Sequence, residues 1–247
     1  MGGRKLRIGW DVGAWHCDRN KKSRDALVVL EVGSSGPELL GKKSRVNLRP
    51  ILMKFRGPEL LRKMLDWCGV QEPGSLDVTI AIDTPLGWPQ AMLALVADAK
   101  LAECWEDDAS NPYTRRQTEI DLIKKRIGQP LSAVRDMIGS QSTKGIHFLQ
   151  ATDLELYSCG IWTFRQDDTS ITAIETYPAA AIKQIPVPYK ETLERLCESA
   201  KSTDPDTKDA LTCALVAHLF SDVPDGYEPI PARAPEREGW IILPRNS

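Results

Sequence analysis

The chain contains 247 residues, of which 42% are hydrophobic and 27% are charged. This length and composition are typical of a globular protein with one large domain or two small ones. A formal net charge of −2 excludes a strongly basic protein that coats nucleic acid by charge alone. No apolar run approaches the ~20 residues of a membrane span, and the N-terminus lacks a signal-peptide hydrophobic region, so we expect a cytoplasmic protein without a membrane partner.

The cysteines and histidines give no sign of a soft-metal site. None of the six cysteines forms a CxxC pair, and the three histidines show no metal-ligand spacing. We therefore expect reduced, mostly buried thiols without a zinc or disulfide framework. The cysteines are Cys17, Cys68, Cys104, Cys159, Cys197 and Cys213.

The first third of the chain is predicted to alternate strands with one helix. Apolar and β-branched runs predict strands at residues 5–11, 25–32, 45–48 and 77–83, with a loop between the second and third. Apolar residues at helical spacing predict a helix over residues 57–69, which begins near Pro58 and ends at Gly69. The nearly all-apolar fourth strand is expected in the centre of a sheet, buried on both faces.

The rest of the chain is predicted to be mainly helical. A long helical insertion is expected over about residues 89–165, where it could lie over a site between strands. A fifth strand is predicted at residues 170–177, followed by helices at 178–184, 189–200 and 204–220. This order predicts a single α/β domain over residues 1–247, with a mixed five-stranded sheet and flanking helices.

Acidic residues end three of the predicted strands. Asp11 ends LRIGWD, Asp83 ends DVTIAID and Glu175 ends SITAIE. Carboxylates at the ends of buried strands carry a large desolvation cost, so they are usually paired, hydrogen-bonded or metal-bound. Several carboxylates that converge need cations to hold them together, which is the layout of a divalent-metal site for phosphoryl chemistry.

Two more acids lie near the start of the last predicted helix. Asp206 and Asp209 are three residues apart in DPDTKDALTCALVAH and therefore share a helix face. We predict Asp11, Asp83 and Asp209 as ligands of Mg²⁺ or Mn²⁺, with Asp206 or Glu175 completing the catalytic shell. Structural alternatives are a turn cap for Asp11, an Asx-turn for Asp83, a first-turn dipole role for Asp206 and a helix cap for Glu175.

Four segments together resemble a known family. IAIDTPLGWP, AIETYPAAAIK, DTKDALTCALVAH and EGWIILP are similar to the predicted RNase H-like nuclease family catalogued as domain of unknown function 429, over nearly the whole chain. The resemblance implies an RNase H-like fold, in which an antiparallel meander precedes parallel strands, and a metal-dependent nuclease activity. The segment GAWHCDRNKKSR departs from the Gly-rich turn expected after the first acid, so the resemblance does not carry a substrate preference.

Basic and aromatic residues supply weaker candidates for substrate contacts. Arg115 and Arg116 could bind a phosphate, or could form a solvated helix start. Lys144 and His147 are expected in a mobile loop near residues 139–145. Three tryptophans near the predicted site could stack on bases or pack in the core: Trp10, Trp15 and Trp88.

Three functions are compatible with these patterns. The leading hypothesis is a metal-dependent nuclease that hydrolyses phosphodiester bonds, with DNA, RNA or a nucleotide as substrate. The alternatives are a nucleotide-binding phosphotransferase or ATPase of the actin-like type, and a non-catalytic module that binds a partner through the acidic cleft. The oligomeric state stays open, with a homodimer as one option.

Overall fold

The computed structural model describes residues 4–16, 23–71, 74–103 and 105–246, except for the side chains of residues 43 and 44. Within these ranges seven strands form one mixed sheet, in the spatial order β3-β2-β1-β4-β7-β6-β5. The three central strands, β1, β4 and β7, are parallel, and every other neighbouring pair is antiparallel. The strands are β1 (Lys5–Asp11), β2 (Asp25–Gly33), β3 (Gly36–Val46), β4 (Asp77–Asp83), β5 (Glu155–Ser158), β6 (Ile161–Gln166) and β7 (Thr169–Glu175).

Eight α-helices occur in the described chain, and none of them is long and apolar enough to cross a lipid bilayer. Short 3-10 turns at Asp108–Ser110 and Glu236–Glu238 supplement them. The helices are α1 (Arg49–Lys54), α2 (Gly57–Trp67), α3 (Gln90–Asp98), α4 (Gln117–Lys124), α5 (Gly139–Ala151), α6 (Pro178–Gln184), α7 (Val187–Ala200) and α8 (Pro205–Asp222).

The central strands are apolar on both faces because helices cover both sides of the sheet. Residues such as Ile8 and Ile80 pack on one side into a core that includes Leu60 of α2 and Phe148 of α5. On the other side α8 lies against β1 so closely that a Cβ on Gly9 would stand 1.7 Å from the backbone oxygen of Ala210. Only glycine allows this approach, and the position of α8 over β1 depends on it.

The predicted α/β class, with a mixed sheet and flanking helices, is confirmed. The bounds of β1, β4 and α6 are those predicted, and β7, α7 and α8 end within about two residues of their predicted limits. These elements have long apolar runs or strong start signals, which are the sequence features that specify local structure most clearly.

The sheet has seven strands, so the prediction of five strands is wrong. The segment predicted as the end of a helical insertion forms the β5–β6 hairpin, whose turn contains Gly160 at a φ of +75°. Aromatic and β-branched residues in ELYS and IWTFRQ favour this hairpin over a helix. The helical part of the insertion therefore ends at Ala151, and turns and irregular segments flank α4 within residues 105–138.

The third strand is also longer than predicted. The segment predicted as a loop is the start of β3, because a tight turn at Ser34 and Ser35 lets Gly33 pair with Gly36. Gly36 has a φ of +104°, a conformation that L-residues with side chains rarely adopt. The short loop extends the pairing of β2 with β3 along the edge of the sheet.

The described cysteines are free thiols. Cys68, Cys159 and Cys213 are buried and Cys197 is partly exposed. Burial raises the pKa of Cys68 to about 12, so its thiol stays protonated near neutral pH. Two cysteines lie outside the described residues, Cys17 and Cys104. Residues 18–22, which belong to the segment GAWHCDRNKKSR, also lie outside them.

Candidate functional site

Asp11 and Asp83 are direct neighbours at the carboxyl ends of two parallel strands. In the register of β1 with β4, Asp11 pairs with Asp83 and Gly9 pairs with Ala81. Since side chains alternate along a strand, all four residues belong to the same face of the sheet. That face is the one covered by α8, which contacts Gly9 through Ala210. The two carboxylates therefore face the first turns of α8.

The start of α8 adds negative charge to this end of the sheet. Asp204 caps the helix, because its side chain accepts a hydrogen bond of 3.0 Å from the backbone nitrogen of Thr207. Asp206 and Asp209 follow in the first turns and are partly exposed. Arg45, at the end of β3, forms an ion pair with Asp206. The acids predicted on the last helix therefore lie at the same end of the sheet as the strand-end acids.

The pKa shifts of Asp11, Asp83 and Asp209 indicate that these carboxylates influence one another. Burial, then the negative charges of Asp206 and Asp209, raise the pKa of Asp11 to about 8, while Arg45 acts in the opposite direction. Burial, followed by the charges of Asp11 and Asp209, raises the pKa of Asp83 well above its ordinary value. Burial and the charge of Asp206 also raise the pKa of Asp209. A cluster with this surplus of negative charge takes up either protons or cations near neutral pH.

Glu175 has a different role from the one predicted by its place at a strand end. It pairs with Ile82 in the register of β4 with β7, so its side chain leaves the sheet on the opposite face from Asp83. Its carboxylate accepts hydrogen bonds of 2.5 and 2.7 Å from Arg116 and of 2.9 Å from the backbone nitrogen of Leu86. Both oxygens are therefore engaged by protein donors, and Glu175 holds the turn that follows Asp83.

The two arginines predicted to bind phosphate differ in what they contact. Arg116 is 1% exposed and donates to Glu119, Glu175 and the backbone oxygen of Glu238. Burial lowers the pKa of Arg116, but the ion pairs with Glu175 and Glu119 raise it above its ordinary value. Arg116 is therefore a structural cation. Arg115 is 8% exposed, and its Nε and Nη1 atoms have no hydrogen-bond partner within the described chain. Arg115 thus remains the candidate for an anion contact.

A cavity of about 170 Å³ lies beside the acids. Asp11 and Asp83 line one side of it, next to Thr84 and Pro85. Residues of the insertion form the other side, so the segment between β4 and β5 does lie over the strand ends as predicted. The insertion contributes Arg116, Pro130, Leu131, Ile138 and Gln141, and the remaining walls come from Val12, Glu175, Thr176, Tyr177 and Ile241.

A buried ion pair fixes the turn that follows Asp11, and sequence reasoning missed it. Lys144 Nζ donates to Asp25 Oδ2 at 2.6 Å and to the backbone oxygen of Gly13 at 3.1 Å. Asp25 also accepts hydrogen bonds from Trp10 Nε1, Gly13 N and Leu48 N. Lys144 lies in α5 and is fully buried, so the prediction of a mobile loop there is wrong.

The tryptophans near the site pack against protein. Trp10 is fully buried and meets Phe148 edge-to-face at 5.4 Å, which is the core packing that the sequence leaves open beside base stacking. Trp15 donates to Thr143 Oγ1 at 3.1 Å and meets the ring of His147 at 5.4 Å. Trp10 joins β1 to α5, and Trp15 joins the loop after β1 to α5, so both rings have a structural role.

The carboxylates fit a hard divalent cation by chemistry and charge. Across residues 4–16, 23–71, 74–103 and 105–246, no group of three or more His, Cys, Asp or Glu side chains is arranged to hold a metal ion. Asp11, Asp83 and Asp209 thus supply carboxylate oxygens that are not arranged around a common point. Oxygen donors of this kind are those that Mg²⁺ prefers, and binding would require the side chains to close around the ion.

Comparisons with known proteins give no further guide to the site. No protein-family model, no curated protein and no solved structure matches the chain. The geometry and charge of the acidic cluster therefore carry the functional interpretation.

Proposed function

We propose that this protein is a metal-dependent hydrolase of phosphodiester bonds, acting on nucleic acid or nucleotides. The observation that carries the proposal is the pairing of Asp11 with Asp83 at the ends of adjacent parallel strands, facing Asp209 of α8. Four carboxylates share this end of the sheet, and Arg45 is the cation that lowers the pKa of Asp11. Phosphodiester substrates are anionic, so cations must mediate between them and this cluster.

The residues divide into ligands and supports. Asp11, Asp83 and Asp209 would hold Mg²⁺ or Mn²⁺, with Asp206 at the edge of the set. Bound there, the metal would act as a Lewis acid on phosphoryl oxygens. Glu175 and Arg116 fix the turn after Asp83, and Asp25 and Lys144 fix the turn after Asp11. These supports keep the two strand-end carboxylates in place when they approach a common ion.

The topology is in line with an RNase H-like fold. An antiparallel meander of β1, β2 and β3 precedes the parallel strands β4 and β7, and helices lie on both faces of the sheet. This is the arrangement that the resemblance implies, with the β5–β6 hairpin added at the edge. Because folds of this kind serve several chemistries, the acidic cluster and not the topology supports the activity.

The nuclease proposal is tested with purified protein, Mn²⁺ or Mg²⁺ and a labelled panel of single-stranded DNA, duplex DNA, RNA, RNA–DNA hybrid and a branched junction. We expect cleavage of at least one substrate and a loss of at least about 100-fold in Asp11→Asn, since even outer-shell partners of a metal are worth ~10–100-fold. Asp167→Asn is the matched control, because Asp167 is an exposed turn residue at a φ of +49° that asparagine also adopts.

Two results would contradict the proposal. Equal cleavage by wild type and Asp11→Asn would show that a contaminant or another site is responsible. Unchanged Mn²⁺ affinity of Asp11→Asn in a calorimetric titration would remove Asp11 from the metal site. If no substrate is cleaved but Mg·ATP binds tightly, the phosphotransferase alternative replaces the nuclease proposal.

A further inference from the structure

We propose that the cavity beside Asp11 and Asp83 receives the base of one unpaired nucleotide, so that the substrate is a single strand or a free nucleotide and not an intact duplex. The inference rests on the proposed function for the placement of the phosphate at the acids. It adds the substrate class, which the acidic cluster alone leaves open. Its support comes from the size, the walls and an unpartnered hydroxyl of the cavity.

The cavity is sized for part of a ligand. Its volume of about 170 Å³ is well below the roughly 300–1,000 Å³ of pockets that enclose drug-sized molecules. A single ring system fits this space better than a base pair or a peptide. The acids form one side of the cavity, so a group that enters it stands directly beside the predicted cleavage site.

The insertion decides what can reach the acids. Pro130, Leu131 and Ile138 place an apolar wall opposite the strand ends, and Tyr177 adds an aromatic ring. A base inside a duplex is stacked and paired, and extruding it costs the energy of unstacking and unpairing. An unpaired base has no such cost and stacks well on aromatic and apolar groups. The covered site therefore favours an unpaired nucleotide.

Thr84 supplies an observation that points to a ligand. The residue is 5% exposed, and its hydroxyl has no hydrogen-bond partner within the described chain. Its methyl group faces α5, since a Cβ on Gly145 would lie 2.6 Å from Thr84 Cγ2. Thr84 also lines the cavity. A buried hydroxyl without a partner is costly, so a polar group of the ligand is the partner that the site lacks.

The polar groups of the cavity suit the edge of a base. The amide of Gln141 lines the cavity and offers both a donor and an acceptor. Together with the hydroxyl of Thr84 it can pair with the mixed donors and acceptors of a nucleobase. The phosphate is expected at the acids and not inside the cavity, because the cation that the proposed function requires would be held by Asp11 and Asp83. One arrangement is consistent with the polar groups of the cavity and with the proposed cation site. It places the base in the cavity and the phosphate at the acids.

The test measures binding and does not depend on cleavage. In Mg²⁺, calorimetry would compare a nucleoside monophosphate, a short single-stranded oligonucleotide and a closed circular duplex. Thr84→Val keeps the side-chain shape and removes the hydroxyl, so we expect binding of the first two ligands to weaken about 3- to 10-fold. Folding stability should stay unchanged or rise, because no protein hydrogen bond is lost.

Thr79→Val is the matched control, because Thr79 is a buried threonine of β4, the strand that Thr84 follows. The Thr79 hydroxyl is hydrogen-bonded to Ser221 Oγ at 2.6 Å, so this change should lower stability and leave binding unaltered. The relative affinities of the monophosphate and the oligonucleotide tell a free nucleotide from a strand. Unweakened binding in Thr84→Val, or no binding of either small ligand, would overturn the inference.

The inference and the proposed function fail in different ways. Cleavage of closed circular duplex as fast as of single strands, with dependence on Asp11, would keep the hydrolase and overturn the unpaired-nucleotide inference. Nucleotide binding that depends on Thr84 without any cleavage would keep the cavity as a nucleotide site and overturn the hydrolase.

Discussion

The two ends of the contact between β1 and α8 differ in whether their carboxylates are paired with cations of the chain. At the amino end of β1, Arg7 makes a bidentate ion pair with Asp222 at 2.7 and 2.8 Å, and His218 joins Asp222 at 3.1 Å. Burial raises the pKa of Asp222, but the hydrogen bonds from His218 and Arg7 lower it below its usual range. At the carboxyl end, burial and neighbouring carboxylates raise the pKa of Asp11 to about 8.

The difference separates a carboxylate that the chain neutralises from carboxylates that the chain leaves in excess. Both ends are built from the same strand and the same helix, and both place carboxylates at the edge of the core. One end pairs its carboxylate with a cation of the chain, which adds to stability. The other end gathers carboxylates against one another, which costs stability and is the feature on which the proposed cation site rests. Variants at each end should therefore affect different properties.

The largest loss of stability is expected from removing Lys144, the buried cation that pairs with Asp25 near the acidic end. Lys144→Met leaves Asp25 buried without its ammonium partner, and we expect it to cost about 3–5 kcal/mol of unfolding free energy. The loss corresponds to a fall in Tm of roughly 10 °C for a chain of this size. Chemical denaturation measures it, and a change below about 1 kcal/mol would show that Asp25 is satisfied without Lys144.

A smaller loss is expected at the opposite end. Asp222→Asn should lower stability by about 2 kcal/mol, because Arg7 loses its bidentate partner but keeps Asp77 at 3.3 Å. The stabilisation of this variant by added Mg²⁺, measured as a Tm shift, should equal that of the wild type. A smaller Tm shift by Mg²⁺ in Asp222→Asn than in the wild type would contradict the separation of the two ends, because it would show that they are coupled.

The smallest expected effect is a pH dependence that belongs to Asp11. Its pKa rises from 3.8 to about 8 on folding, so the unfolded chain loses this proton first as pH increases. The contribution of Asp11 to stability therefore falls between about pH 4 and pH 8 in the metal-free protein. Asp11→Asn should flatten that part of the curve and stabilise the protein at pH 8 by about 1–3 kcal/mol, less than the full shift because the carboxylates share the repulsion.

Urea denaturation in the presence of a chelator, at intervals from pH 4 to pH 9, measures this dependence. Asp167→Asn serves again as the control and should follow the wild-type curve. Parallel curves for wild type and Asp11→Asn would show that the carboxyl group of Asp11 titrates at its ordinary pKa.

The sequence by itself determined the central strands and their acidic ends. Apolar runs closed by an acid predicted β1 and β4 to the residue, and the spacing of Asp206 and Asp209 placed them on one face of α8. These features are local, because an apolar run, a strand end and a helix turn each involve only a few consecutive residues. The β5–β6 hairpin is not predicted, because its strand signals span only 4 and 6 residues beside a helical pattern.

Only the tertiary structure decided which acids act together. The register of β4 with β7 pairs Glu175 with Ile82 and directs it to Arg116 on the face opposite Asp83, although its charge still raises the pKa of Asp83. The ion pair of Asp25 with Lys144 joins residues 119 positions apart, and Thr84 meets the insertion only through the packing of α5. A shift of one residue in strand register changes the face of every side chain, so the composition of the site is fixed by strand pairing and helix packing, which no local pattern encodes.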